Sequence, residues 1–472
     1  MVQAVAAKAL AQTLGKLPVR LNVAVMLFFS CMISYMYRVN FSITVLAMVN
    51  PINANASAPD YGPRYDWDKQ QQGLLLGAYF WGYLISGLPG IVLIERFGGK
   101  IVTTISMALS VIVTAMGPLF AAWGFYSMYA NRFITGFLAG PVYPALHNLV
   151  AKWAPPDEKG KFISTIMGGT FGTVITFPMV GVLIENLGWS FGFYVPAIIG
   201  FTLCIMWHLI VADGPSEHSW ISPKEQDYIE RSLGMTVAKK KPPVPLLKIM
   251  TSIPFLSLVI LHFGGTWGLF FLMTAAPTFM SEVLNFKVAK AGFLSALPYL
   301  ARLICGIIFG QIGDIVAKRG WLTVTSIRKL FTIFSHIFPG IFLIILCFVS
   351  EPYVSVAIIS ISLSFNGAAC ITNLQNSHDL APNFAGILYG IMNFFGTATG
   401  FLSPMVVAHF TQYGSTMKEW CYIFVTGSTI YIIPALLYMI FGSGVIQSWN
   451  EPVKSQAESG QEKAETELEK KP

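Results

Sequence analysis

The chain has 472 residues, of which 54% are hydrophobic and only 11% charged, against roughly 25% charged residues in a soluble domain. So little charge cannot keep so much apolar surface in water, and the mean hydropathy of +0.61 agrees. A soluble enzyme and a nucleic-acid-binding module are both excluded, and the net charge of +7 needs an explanation in membrane topology.

About 20 apolar residues suffice to cross the hydrocarbon layer. Twelve such runs are predicted, at 21–49, 71–94, 101–123, 127–151, 162–184, 190–212, 253–281, 291–313, 325–349, 352–374, 384–411 and 419–441. The fold class is therefore an all-α polytopic membrane protein. Residues 1–20 carry Lys8, Lys16 and Arg20, and the apolar run behind them is too long for a cleavable signal core. Counting Lys and Arg along the chain puts 22 on the side shared by both termini, five on the other side, and three (Arg38, Arg132, Arg302) inside the runs. That asymmetry predicts cytoplasmic termini. The outward loop 50–70 then holds a glycosylation sequon at Asn55.

Helix 2 is followed by Glu95-Arg96-Phe97-Gly98-Gly99-Lys100, and helix 8 by Gly310-Gln311-Ile312-Gly313-Asp314 with Lys318 and Arg319. An acid and a basic cluster thus recur at equivalent turns, and we expect Glu95, Arg96, Lys100 and Asp314 to form a latch between helix ends. Between these turns, Arg132, Ala139, Tyr143 and His147 are spaced by seven, four and four residues, which is one helical face. Residues 213–250 are polar and Pro-rich and split the runs six and six. The expected organisation is a cytoplasmic N-terminus (1–20), a first bundle (21–212), a linker (213–250), a second bundle (251–445) and a disordered Glu/Lys-rich tail (446–472). Six cysteines, all in or beside the runs, give neither a disulfide framework nor a metal site.

Away from the ends of the runs, where Arg328, Lys329 and Glu419 fall, three arginines lie in them and no Asp or Glu does. A guanidinium at membrane depth costs at least ~2.5–3.5 kcal/mol, so it is read as ligand-facing or paired. With no carboxylate to pair with, a cationic substrate is disfavoured and an anion favoured. The guanidinium fork suits a carboxylate or phosphate.

More specific pieces follow. They are Arg38-Val39-Asn40 through Met48-Val49-Asn50, Trp67-Asp68, and Gly77-Ala78-Tyr79-Phe80-Trp81-Gly82-Tyr83. Further along come Arg132, Gly136, Tyr143-Pro144-Ala145, His147 and Lys152-Trp153-Ala154-Pro155-Pro156. Gly188-Trp189, Asn376, Asp379-Leu380-Ala381-Pro382, Ala385-Gly386 and Asn393 complete the set. With these residues the chain resembles the anion:cation symporter family of the major facilitator superfamily, which holds sodium–phosphate cotransporters, sialin and vesicular glutamate transporters. In style it is most similar to invertebrate inorganic phosphate cotransporters.

The resemblance implies twelve helices in two six-helix bundles around a central site. It implies substrate contact by Arg38, Arg132 and Tyr143, to which the inventory of intramembrane charge adds Arg302. It implies a gating or proton role for His147, and sodium as coupling ion with Asn40, Asn376 and Asn393 as oxygen donors; the bland alternative is that these asparagines glue helices. Tyr79, Phe80, Trp81 and Tyr83 are expected to pack. Departures are also visible. Ala139 stands where proton-coupled relatives carry glutamate, Leu76 where vesicular glutamate transporters carry histidine, and Gly265 where they carry arginine.

The function expected is secondary active transport of a small anion, with sodium-coupled phosphate or organic-anion symport foremost. A vesicular or lysosomal organic-anion transporter driven by voltage or protons is the alternative. A channel would need a ring of repeated polar residues and an enzyme a metal cluster, nucleophile elbow or phosphate loop; neither is present. No cofactor, metal, nucleic acid or obligate protein partner is expected. The membrane is either the plasma membrane or that of a vesicle or lysosome.

Overall fold

The computed structural model describes residues 17–49, 60–155, 158, 162, 164–234 and 244–450. Asn55, the first sixteen residues and the tail beyond Asn450 lie outside them. The described chain is helical. Twelve crossing segments follow in order, the last six beginning after a linker: α1 (Val19–Met48), α2 (Lys69–Phe97), α3 (Gly99–Ala115, continued by Gly117–Ala122), α4 (Phe125–Ala139 and Val142–Trp153), α5 (Gly168–Leu187) and α6 (Phe191–Ile210). Then come α7 (Ile253–Thr278, ending in a π turn Phe279–Val283), α8 (Val288–Lys318) and α9 (Val324–Thr332 and Phe338–Leu346 around a π turn Ile333–Ile337). The set closes with α10 (Pro352–Asn366 and Asn373–Leu380 around a 3-10 turn), α11 (Ala385–Thr411) and α12 (Met417–Phe441). Nine of these are long and apolar enough to span on their own; α2, α3 and α4 are bent, short or broken.

Local chemistry sets the ends. Asp68 and Gln71 form a capping box at the start of α2, Gln71 N donating to Asp68 Oδ1 at 2.7 Å and Asp68 N to Gln71 Oε1 at 3.1 Å. Gly98 (φ 82°) and Gly188 (φ 94°) end α2 and α5 in a conformation that favours glycine. α4 is interrupted at Gly140–Pro141, yet both residues keep helical dihedrals, so the phase of its face is retained across the break.

The first bundle packs α1 on α5 and α6, α2 on α4, and α3 on α6; the second packs α7 on α11 and α12, and α8 and α9 on α10. Between bundles, α5 meets α8, α2 meets α11 and α1 meets α7. The α2–α4 approach depends on two glycines: a Cβ at Gly136 would sit 1.8 Å from Tyr79 O and one at Gly82 2.0 Å from Phe133 O.

The two ends of the molecule differ. At the end remote from the linker, Lys69 of α2 pairs with Glu282 of α7 and Ala289 N of α8 donates to Glu185 Oε1 of α5 at 2.9 Å; midway along α2 and α11, Trp81 stacks on Phe401 at 4.0 Å. All three cross between bundles. At the linker end the ion pairs stay within a bundle. Arg20 meets Glu158 and Glu225, Lys152 meets Asp213, and Arg328 meets Asp379. The bundles are therefore closed at the remote end and splayed at the linker end.

This splay corrects the expected latch. Glu95, Arg96 and Asp314 are exposed and form no ion pair among the described residues. Lys100 contributes its backbone N–H, held by Asp213 Oδ1 at 3.0 Å. With the linker end open, the turns that a latch would join are apart. Glu158, Glu225, Asp213 and Asp379 are the acids that carry the ionic contacts there, with Arg20, Lys152 and Arg328.

Part of the linker belongs to the first bundle. Its helix, Pro223–Gly234, presents Glu225 to the start of α1, where the carboxylate accepts from Val19 N (3.0 Å), Arg20 N (3.1 Å) and Arg20 Nη1 (3.1 Å). An acid at a helix N-terminus meets both the free N–H groups and the dipole. His218 bonds Ile210 O at 3.0 Å, and its burial lowers the imidazole below its ordinary titration range.

Candidate functional site

Arg38 lies in the middle of α1, 5% exposed. Its guanidinium is enclosed by rings: Tyr35 at 4.5 Å, Tyr83 at 4.8 Å, Tyr79 at 5.3 Å, and Phe80 and Phe270 at 5.6 Å. Three helices supply them, since Phe270 comes from α7 of the other bundle. Each cation–π contact is worth ~0.5–2 kcal/mol, so together they can offset the ~2.5–3.5 kcal/mol insertion cost. The charge can persist without a carboxylate. Ring faces accept no strong hydrogen bonds, however, and Arg38 Nε has no partner. An anionic oxygen would supply what the rings do not.

The cage opens in one direction. Tyr79 and Phe80 are buried, while Tyr35 and Tyr83, one turn nearer the linker end, are half-buried. Tyr143 of α4 continues the lining, edge-on to Tyr35 at 6.2 Å. Along α4 exposure rises toward the linker end: Arg132 is 3% exposed, Tyr143 half-buried and His147 exposed. The face expected on α4 exists, and it runs from the closed barrier into the open side.

Arg132 sits behind Arg38 and takes a different part from the one expected. Its Nη1 and Nη2 donate to Tyr37 O and Arg38 O, both at 3.2 Å, under Phe41 at 4.8 Å. Both terminal nitrogens thus hold the α1 turn that carries Arg38, while Arg132 Nε, like Arg38 Nε, has no partner. Arg302, half-buried on α8, donates from Nε to Asn366 Oδ1 at 3.0 Å, and belongs to the second bundle.

The three asparagines are not brought together. Asn40 Nδ2 bonds Gly192 O (3.3 Å) at the start of α6, and its Oδ1 is unpartnered. Asn376 lies at the linker end, its amide bonded to Ser443 O and Asp379 Oδ2 and its oxygen to the Tyr438 hydroxyl. Asn393 is half-buried on α11.

Two buried side chains were missed in the sequence. His262 on α7 is 4% exposed, with no partner for either ring nitrogen. His336 on α9 is fully buried, its Nδ1 with Ser335 Oγ at 2.7 Å and Nε2 with Leu261 O at 2.9 Å. The signal was available: both lie within apolar runs, where an ionisable residue is a functional candidate by default.

The sequence profile of the Major Facilitator Superfamily matches residues 23–404. Sialin of Ovis aries is 34% identical over 453 residues, covering 91% of this chain and 90% of its own. Vesicular glutamate transporter 2 of Homo sapiens is 30% identical, over 94% of this chain and 77% of its own. Among solved structures, a D-xylose-proton symporter superposes with a TM-score of 0.67 over 90% of this chain and 99% of that one. A bacterial homologue of the human lysosomal transporter Spinster, inward-facing and occupied, gives 0.66 over 90% and 97%. Both are 13% identical, which supports the fold alone.

Proposed function

Because the chain belongs to the Major Facilitator Superfamily, and within it to the anion:cation symporter group, we propose that it carries small organic anions across a membrane by rocking of its two bundles around Arg38. The family is one of transporters and not of enzymes. The observation that carries this reading is the buried Arg38 guanidinium, surrounded by five rings from three helices, with no carboxylate paired to it.

Rings around one fork favour a carboxylate borne on a larger body, such as sialate or an amino-acid carboxylate. Inorganic phosphate offers more oxygens and charge than one arginine can match, and enters the test as a second arm. With the termini in the cytoplasm, as the Lys/Arg asymmetry predicts, the splayed linker end corresponds to the inward-facing state. The rings that close over Arg38 from α2 and α7 would part on the other half of the cycle. Sodium coupling, expected from the resemblance, drew on three asparagines that lie at different depths; it enters the test as a third arm.

The test is uptake into proteoliposomes of radiolabelled sialate, glutamate and phosphate under sodium, proton and voltage gradients applied singly. Saturable uptake of an organic anion, lost in Arg38→Ala and poorly restored by Arg38→Lys, is the expected result. Phosphate as the sole transported anion would refute the substrate class. Undiminished uptake by Arg38→Ala would refute the site.

A further inference from the structure

Seven histidines occur in the chain, and His262 stands apart from the rest. It is 4% exposed between α7 and α11, and a Cβ built on Gly396 of α11 would lie 2.9 Å from its Cδ2. Neither ring nitrogen has a hydrogen-bond partner. A neutral imidazole carries one N–H donor and one acceptor, and leaving both buried and unsatisfied is destabilising. The fold does relieve the neighbouring histidine: His336 is bonded at both nitrogens, one of them to Leu261 O, the carbonyl next to His262. The second bundle thus fixes one imidazole and leaves the other unspent.

His262 also faces the right way. Its ring meets Tyr389 of α11 edge-on at 6.1 Å. Tyr389 is 36% exposed and within electrostatic reach of Tyr35 and Tyr83, the two rings through which the Arg38 cage opens. An anion held at Arg38 therefore has Tyr389, and behind it His262, on its second-bundle side. On the helices packed against α7, the ionisable groups to weigh are His336 (α9), Tyr389 (α11), Tyr431 (α12), Arg302 (α8), Asp379 (α10) and Arg38 (α1). Asp379, the one carboxylate among them, is held bidentately by Arg328 at 2.6 and 3.1 Å. Among the described residues named here, no free acid is left to take or give a proton.

We propose that His262 and Tyr389 form the second-bundle half of the anion site, and that His262 carries the proton that crosses with the anion. This rests on the anion-transport reading above. On the loading side a proton from water adds to the free imidazole nitrogen, and the imidazolium and bound carboxylate then cross as a neutral set beside Arg38. On the other side the anion leaves and the imidazolium returns its proton to water, so charge and protons balance over the cycle. His336 already has both ring nitrogens engaged, by Ser335 Oγ and Leu261 O. His147 is exposed on α4, toward the linker end from Arg132 and Tyr143.

The experiment uses the full chain in proteoliposomes, with radiolabelled sialate or glutamate, whichever the panel shows to be taken up. A one-unit pH gradient, acid on the loading side, should accumulate the label about tenfold at one proton per anion. His262→Gln should lose that accumulation, with exchange of external for internal anion persisting at a reduced rate. Tyr389→Phe should keep the accumulation and raise KM several-fold, since it removes one donor. A second measurement needs no change at 262: adding sialate or glutamate to the solubilised wild-type protein should take up about one proton per anion bound, read by a pH-indicator dye. Undiminished proton-driven accumulation by His262→Gln, no proton uptake on anion binding, or accumulation by the wild type under sodium alone each overturns the proposal. Absence of any anion uptake by the wild type would instead overturn the transport reading on which it stands.

Discussion

In the first bundle, Arg38 and Arg132 both keep an unpartnered Nε inside the membrane, and the stabilising neighbours are rings and backbone carbonyls. In the second bundle Arg302 bonds Asn366, Arg328 clamps Asp379, and His336 is satisfied at both nitrogens. The two halves share a topology and divide the electrostatics. One holds a positive charge surrounded by rings; in the other, Arg302 is hydrogen-bonded to a neutral amide, Arg328 is paired with a carboxylate, and His262 is left without a partner. A transporter that must select an anion and still release it benefits from placing the permanent charge on one side and the switchable group on the other.

The sharpest way to break this comparison is to apply the same change to both halves. Arg38→Ala should cut uptake at least thirtyfold, the equivalent of the ~2–5 kcal/mol lost when one member of a buried charge pair is removed, while the protein still reaches the membrane. Arg302→Ala should cost no more than a few-fold, because its Nε is engaged by Asn366 and not by substrate. Equal losses would mean that the charge is not divided between the bundles as described.

A second test concerns how the first bundle holds its cage. Gly136→Ala drives a methyl toward Tyr79 O and must separate α2 from α4, an overpacking cost of ~1–3 kcal/mol. We expect a melting temperature lowered by several degrees and weaker uptake, measured on the solubilised protein and in liposomes. A fully stable and active Gly136→Ala would show that the close approach is not needed.

The remote end offers a third. Lys69→Glu places like charges between the bundles beside Glu282, and should reduce uptake several-fold by disfavouring closure there; adding Glu282→Lys should restore most of it. A double variant no better than the single one would remove the pair from the closing contacts. The smallest effect is expected at Glu95→Gln, on a side chain that makes no ion pair here, with uptake changed by less than about twofold.

Much of the fold was legible because the membrane leaves few solutions. Runs of apolar length and a polar interruption at 213–250 predict twelve crossings in two sets of six, and the family match agrees. Breaks inside crossings were less legible. Gly140–Pro141 in α4 falls within a run whose hydropathy gives no warning. The candidate site was half legible: an arginine without an acid can be read from composition, but the rings that surround Arg38 cannot. Which arginine faces substrate and which bonds carbonyls depends on how α1 and α4 pack, and no spacing encodes that. The same limit explains the asparagines, whose roles depend on depth and rotation about the helix. His262 and His336 were missed for another reason, since attention went to charged residues and to the motif-borne His147 instead of to every ionisable group in a run. The latch residues were identified by local composition, but whether such turns touch is a property of the conformational state.

The mooring of the linker helix carries its own consequence. Glu225 caps α1, and the nearby Asp213 bonds Lys152 and the start of α3, so the polypeptide from Asp213 to Gly234 travels as cargo of the first bundle. A chain cut between residues 235 and 243 would therefore leave each piece with its own anchoring intact. Co-expressed as two polypeptides, residues 1–238 and 239–472 should reassemble into a working pair. The crossing contacts α5–α8 and α2–α11 would then replace the covalent tether, and shuffling such halves among relatives becomes a route to trading one protein's permanent charge for another's release mechanism.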